Sequence, residues 1–277
     1  MPRNVALIAL AAVVAVACAT SPTGRRQLML VSEETAISAS RQAYVQDIGR
    51  LKAEGKLVTD PKLLARIERI AGRLVAQAVI WRPETARWEW SVEVIEEPKT
   101  VNAWCMAGGR MAVYTGLIQK VDPTDAELAQ VIGHEIAHAL ANHTAEKMSM
   151  SMASQALVIG AGVASDNPGQ AMAVAATAAA LAVQLPNSRT AEAEADRIGI
   201  ELAARAGYDP RAAATLWQKM DAVGGATPPA FLSTHPGPEH RQAKLAKLAP
   251  KMQPYYAAAG SNPPSRPVTI GAAARAR

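Results

Sequence analysis

A mostly helical α+β domain with one small antiparallel sheet is the fold class this sequence predicts. Three observations carry the prediction. Of the 277 residues 49% are hydrophobic but only 4% aromatic, with a single Phe, so Ala, Val, Leu and Ile must fill the interior and favour close-packed helices. Apolar residues recur with a helical period over most of the chain, and alternation with a period of two is confined to the region around residues 88–114. The same composition excludes a disordered protein. Charge excludes a phosphate-tracking surface: 29 basic and 24 acidic residues give a net +5, scattered rather than gathered in a stripe, so no nucleic-acid partner is expected. Two cysteines, Cys18 and Cys105, are too few for a Cys-based zinc cluster, and no disulfide framework is expected.

Taken in order, the chain opens on an address. Arg3 precedes an apolar run from Val5 to Ala17, short of the ~20 residues that span a bilayer but suited to a signal peptide over residues 1–17. The run ends in Ala15-Val16-Ala17-Cys18, small residues directly before a cysteine, as in the lipobox of bacterial lipoproteins. An ordinary signal peptide cleaved near Ala17 or Ala19 is the other reading. With lipid on Cys18, residues 18–31 read as a tether, and Ala19 after the Cys points to the outer membrane, facing the periplasm.

Residues 32–249 carry the domain. Ile37, Tyr44, Ile48 and Leu51 keep one helical face. Asp60-Pro61 supplies an N-cap and a first helical residue for a second helix, running to Trp81. Trp88, Trp90, Val92 and Val94 alternate with polar residues as a half-buried strand does. Val101–Met106 and Arg110–Tyr114 flank Gly108-Gly109 as a hairpin, which completes three antiparallel strands. Thr124 and Glu127 form a capping box before a helix that is apolar on almost every side through Leu140, the expected centre of the fold. The Ala-rich runs 153–164 and 171–185 are each too short for a bilayer and read as a helical hairpin packed on the core. Helices are expected over Ser188–Ala206, Pro210–Ala222 and Pro238–Leu248. The Pro-rich tail, 250–277, is expected to be disordered.

The central helix carries His134-Glu135-Ile136-Ala137-His138. Two histidines four apart differ by about 40° in direction and about 6 Å in height, so both imidazoles can meet one ion, with Glu135 beside it to handle a proton. His143 lies about 180° from His134 and cannot reach the same ion. Ala141 and Thr144 stand where a metzincin needs Gly and His, so that subclass is excluded. The third ligand must come from elsewhere, and the segment from Ser188 to Asp196 offers three carboxylates. On a helix Glu192 lies beside the stripe of Ala191, Ala195 and Ile198, with Asp196 about 40° away, while Glu194 projects at about 200° among Glu201 and Arg205, toward water. An inward carboxylate needs a cation. Arg189 is one candidate, and zinc the better one. Asp196 then orients a ligand histidine or donates a proton. His235 reads as a fourth ligand, an oxyanion stabiliser or a plain loop histidine, His240 as exposed, and Cys105 as a small buried hydrophobe.

With these residues in view a resemblance emerges. The HEIAH helix, the Ser-Arg-x-x-Glu-x-Glu-Ala-Asp segment and the Asn-Ala-Trp-x-x-x-Gly-Gly hairpin resemble the HtpX and CAAX-prenyl-endopeptidase family of zincin-like gluzincin metallopeptidases. Thr23-Gly24-Arg25-Arg26-Gln27-Leu28 after the lipobox is similar to its periplasmic lipoprotein branch, that of the beta-barrel-assembly-enhancing proteases, here without their tetratricopeptide domain. The resemblance implies one zinc per chain on His134, His138 and Glu192, Glu135 as general base and Asp196 as a supporting catalytic residue. It also implies a zinc endopeptidase acting on misfolded or unassembled envelope proteins. A chaperone-like binding lipoprotein with an occluded site is the alternative. Asn102–Ala107 is the strand expected to pair with an extended substrate.

Overall fold

The computed structural model describes residues 18–164, 167, 169, 188–224, 229–236 and 240–271. The leader, 1–17, and the second Ala-rich run, 171–185, lie outside the described residues. In chain order the elements begin with β1 (Cys18–Thr20), β2 (Arg26–Leu28), α1 (Glu33–Ala53), α2 (Pro61–Trp81) and a 3₁₀ turn, Pro83–Arg87. Next come β3 (Ser91–Ile95), β4 (Ala103–Met106), β5 (Arg110–Tyr114), α3 (Thr115–Val121), α4 (Asp125–Leu140) and α5 (His143–Ala164). The last are α6 (Arg189–Arg205), α7 (Ala212–Gly224), α8 (Ala230–Thr234), α9 (Arg241–Ala259) and β6 (Thr269–Ile270). The chain divides into two compact units, one drawn from residues up to Ala36 and from Ala141 to Leu185, the other from Ile37 to Leu140 and from Pro186 onward.

In the first unit β1 and β2 form an antiparallel hairpin where the sequence predicted a tether. Its turn passes through Gly24, whose φ of 89° suits a residue without Cβ. Polar side chains hold it in place: Gln27 donates to the Ala141 carbonyl at 2.7 Å, and Arg25 grips Glu146 with two bonds of 2.7 and 2.6 Å. The first Ala-rich run is the second half of α5, a single helix from His143.

In the second unit the sheet has four strands, in the order β4-β5-β3-β6. β4 and β5 are the expected antiparallel hairpin, but β3 runs parallel to both β5 and β6. The three-stranded antiparallel expectation is therefore corrected: a period of two shows which face is buried but not which way a strand runs. Nor is β3 half-buried. Tyr44, Ile48 and Leu51 of α1 cover the face carrying Ile95 and Ala112, while Val92, Val94, Met111 and Val113 are buried on the other. On that second face Val92, Met111 and Val113 line a small hollow with Ile132 and Glu135 of α4.

The caps form as the sequence dictates. Asp60 accepts from the Lys62 amide at 2.9 Å ahead of Pro61. The Thr124 amide donates to Glu127 at 2.8 Å while the Glu127 amide donates to the Thr124 hydroxyl at 3.2 Å, a reciprocal box that starts α4. From Glu127 to Leu140 every residue of α4 is buried. The tail departs from expectation. α9 continues through Pro250 and Pro254 to Ala259, because Leu245, Ala249 and Met252 are buried and packing against α6 and α7 overrides the local cost of proline, about 3 kcal/mol. The chain then crosses α2, where the Arg266 amide donates to the Gly72 carbonyl at 3.0 Å, and forms β6 beside β3.

Candidate metal centre

Two helices that touch backbone to backbone build the site. A Cβ on Gly199 of α6 would stand 2.8 Å from the His134 nitrogen and 2.9 Å from its Cα, and one on Gly133 of α4 would stand 3.0 Å from the Gly199 carbonyl oxygen. Only glycine permits that approach. It brings Glu192, one-and-a-half to two turns before Gly199, level with the histidines of α4. Ser188 caps α6 by accepting from the Ala191 amide at 3.2 Å, so Glu192 falls in a properly formed first turn.

His134, His138 and Glu192 converge as predicted, and His235 joins them from the end of α8. One ligating atom from each lies within 4.8 Å of all the others, and all four residues are buried. The closest pairs are His138 Nε2 to His134 Nε2 at 3.0 Å, His138 Nε2 to Glu192 Oε1 at 3.2 Å, His235 Nδ1 to Glu192 Oε1 at 3.0 Å and His134 Nε2 to His235 Nδ1 at 3.3 Å. Donors on a tetrahedral zinc with bonds near 2.0–2.1 Å stand about 3.3 Å apart. Glu192 Oε2 and Glu135 Oε1 are buried without a hydrogen-bond partner among the described residues, as atoms reserved for a cation or a polarised water are. The residues present fit a zinc ion.

The electrostatics agree. Burial pushes the His134 imidazole down, but Glu192 and Asp196 override it and carry it up to about 9. Burial likewise opposes ionisation of Glu192, yet His134, His138 and His235 hold its carboxyl far below the usual range. A cluster that draws a proton this strongly is one prepared for a cation. Glu135, whose Oε1 lies 3.4 Å from His235 Nε2, is pushed upward by burial, against the pull of His235 and His134. Asp196 accepts from His134 Nδ1 at 3.0 Å and from Arg241 at 2.8 and 2.5 Å. Burial opposes its ionisation too, but His134 and Arg241 hold it below the ordinary carboxylate value. Its contact with His134 Nδ1 fits the first of its two expected tasks, orienting a ligand histidine.

Other expectations fall into place or are corrected. Cys105 is buried behind Glu135, and burial raises its thiol well above 9, so it is no nucleophile. His143 begins α5 outside the donor set, and His240 is exposed. Glu194 does not face water. It is 6% exposed because α6 packs against α4, α9 and α2, which leaves little of its circumference to solvent. Arg189 is exposed at the start of α6, and the inward cation is Arg241, which the sequence reading missed. It stands at the first position of α9, inside the helix expected over Pro238–Leu248, but nothing local shows that its side chain turns toward the site. Its guanidinium lies 3.7 Å above the Trp217 ring.

A buried set of three imidazoles and a carboxylate, with a second carboxylate alongside and two crossing helices beneath, defines a metallohydrolase-type centre. Residues 59–249 match peptidase family M48. The chain belongs to that family, as the sequence resemblance implied. It is 42% identical over 160 residues to mitochondrial metalloendopeptidase OMA1 of Arabidopsis thaliana, covering 57% of this chain and 31% of that protein. It is 32% identical over 241 residues to the human mitochondrial metalloendopeptidase OMA1 (83% and 45%) and 29% identical over 237 residues to the beta-barrel assembly-enhancing protease of Escherichia coli K12 (82% and 47%). The chain thus spans less than half the length of these relatives.

Proposed function

We propose that this chain is a zinc-dependent endopeptidase of the bacterial cell envelope that cleaves misfolded or unassembled envelope proteins. The observation that carries the reading is the four-donor cluster with Glu135 beside it, inside a family of metallopeptidases. The resemblance to the Escherichia coli protease supports the envelope setting, while the mitochondrial relatives support the chemistry alone. When bound, zinc polarises the scissile carbonyl and acidifies a water. Glu135, with its affinity for protons raised by burial, takes the proton and returns it to the leaving amine. Asp196 holds His134 with Nδ1–H turned toward itself, so that Nε2 faces the donor set. β4 is an outer strand of the sheet, paired only with β5 among the described residues, and its other edge is suited to an extended polypeptide.

His235 supports a second reading. A fourth protein donor leaves no position for water, as in a structural rather than a catalytic site, and favours an occluded chaperone-like lipoprotein. Zinc analysis together with casein hydrolysis, with and without a chelator, decides between them. Glu135→Gln is expected to keep zinc and lose hydrolysis by about 10²- to 10⁴-fold; a wild type that binds zinc and hydrolyses nothing refutes the peptidase. The location is tested by fatty-acid labelling. Lipid on Cys18 predicts label on wild type and none on Cys18→Ser, and equal label on both rejects the lipoprotein.

A further inference from the structure

Arg241 is the buried charge for which the proteolytic mechanism has no task. Its Nε donates to Asp196 Oδ2 at 2.8 Å, one terminal nitrogen donates to Asp196 Oδ1 at 2.5 Å, and the other donates to the main-chain carbonyl of His235 at 3.0 Å. The first terminal nitrogen also lies 3.2 Å from His134 Nδ1 and 3.4 Å from Glu192 Oε2, and Trp217 covers one face of the plane. We propose that Arg241 is a positioning residue that clamps His235 into the donor set, tying its main chain to the carboxylate of α6. The proposal rests on the reading of the cluster as a zinc site.

The four donors are not equally supported. His134 and His138 stand on the 16-residue α4, and Glu192 on the 17-residue α6. His235 caps a helix of only five residues. Its ring stacks on Phe231 at 4.7 Å, and Phe231 is itself buried against Trp217 of α7, but that contact holds the ring and not the His235 main chain. Arg241 supplies a tie to a rigid body. Its planar fork fixes the Asp196 carboxylate and the His235 carbonyl relative to one another, and the same carboxylate orients His134. One guanidinium therefore sets the separation between His134 and His235. A lysine keeps the charge but is a point donor on a flexible stem and cannot span both partners.

The test is a cycle of Arg241→Lys, His235→Ala and the double variant in the full chain, read as zinc affinity by competition with a chromophoric chelator. Arg241→Lys is expected to weaken zinc by about 10- to 100-fold, as changes to groups that orient ligands do. If the arginine acts chiefly through His235, most of its effect disappears in the His235→Ala background, and the double variant binds zinc little more weakly than His235→Ala alone. Multiplying losses, or an Arg241→Lys protein with wild-type affinity, overturn the proposal. With Phe231→Leu as the control for the other ring that Trp217 touches, Trp217→Leu removes the plate beneath the guanidinium. It is expected to shift affinity in the same direction, and to do nothing further in the His235→Ala background, so the proposal stays testable even where Arg241→Lys does not fold. A wild-type protein that binds no zinc refutes the zinc site itself and is distinguishable from all of these.

Discussion

Gly199→Ala puts the helix crossing to the test. The added methyl would sit 2.8 and 2.9 Å from the His134 nitrogen and Cα, where ordinary contacts of such atoms lie near 3.5–4.0 Å. The neighbour is backbone on a buried helix, so no side chain can swing aside, and α4 and α6 must part by roughly 0.6–1 Å. Overpacking of this kind costs about 1–3 kcal/mol, or a fall in Tm of roughly 3–10 °C for a domain of this size. The effect on the site is larger, because ligand distances hold to within about 0.2 Å and Glu192 rides on the helix that moves. Zinc affinity should fall at least about tenfold, and the drop in Tm caused by a chelator should shrink with it. Melting with and without chelator is the assay. Gly49→Ala is the matched control: Gly49 lies exposed on α1 with nothing within 4 Å of its Cβ position, so alanine there should stabilise by about 0.5–1 kcal/mol. A Gly199→Ala protein that keeps wild-type Tm and zinc affinity sinks the argument.

Two other outcomes follow from the geometry. Glu192→Gln should lose most of its zinc, whereas Glu194→Gln, on the same helix but outside the cluster, should keep it; metal analysis showing the reverse would mean that the donor set is drawn wrongly. Glu127 gives a pH signature. Burial opposes its ionisation, but Lys219 at 2.7 Å, the Thr124 amide and the Thr215 hydroxyl hold its carboxyl below its ordinary 4.5. A depressed folded value means stability present above pH 4.5 and lost as pH falls through the lowered value. Glu127→Gln should therefore melt lower at neutral pH and lose less on acidification from 4.5 downward, and parallel Tm curves for the two proteins would remove Glu127 from the account.

How far the sequence reached depends on how local each fact is. His134 and His138 were legible because one helix turn joins them, and the Thr124–Glu127 box placed that helix. Glu192 was legible because the apolar stripe beside it fixes which way it points. Glu194 shows the limit of the same reasoning: helical phase gives a direction, and what lies in that direction depends on how α4, α9 and α2 pack around α6. His235 lies where no period operates and Arg241 at the start of an expected helix whose partners the sequence does not show, and both meet the cluster only through the docking of α8 and α9. Strand direction failed for a related reason, since alternation is the same in parallel and antiparallel strands. The proline-rich tail misled because its order comes from burial of Leu245, Ala249 and Met252, which composition does not reveal.

The pairing of β6 with β3 joins strands more than 170 residues apart in the chain, and the donor set has a similar long reach: two histidines on α4, Glu192 on α6, His235 and its clamp later still. During synthesis a chain released only as far as α5 carries the HEIAH helix but neither the carboxylate nor the third imidazole. Two imidazoles without further donors make a poor seat for zinc. The sheet edge and the donor set are thus both finished by the last part of the chain, so a metal can be held by all four donors only once the fold has closed.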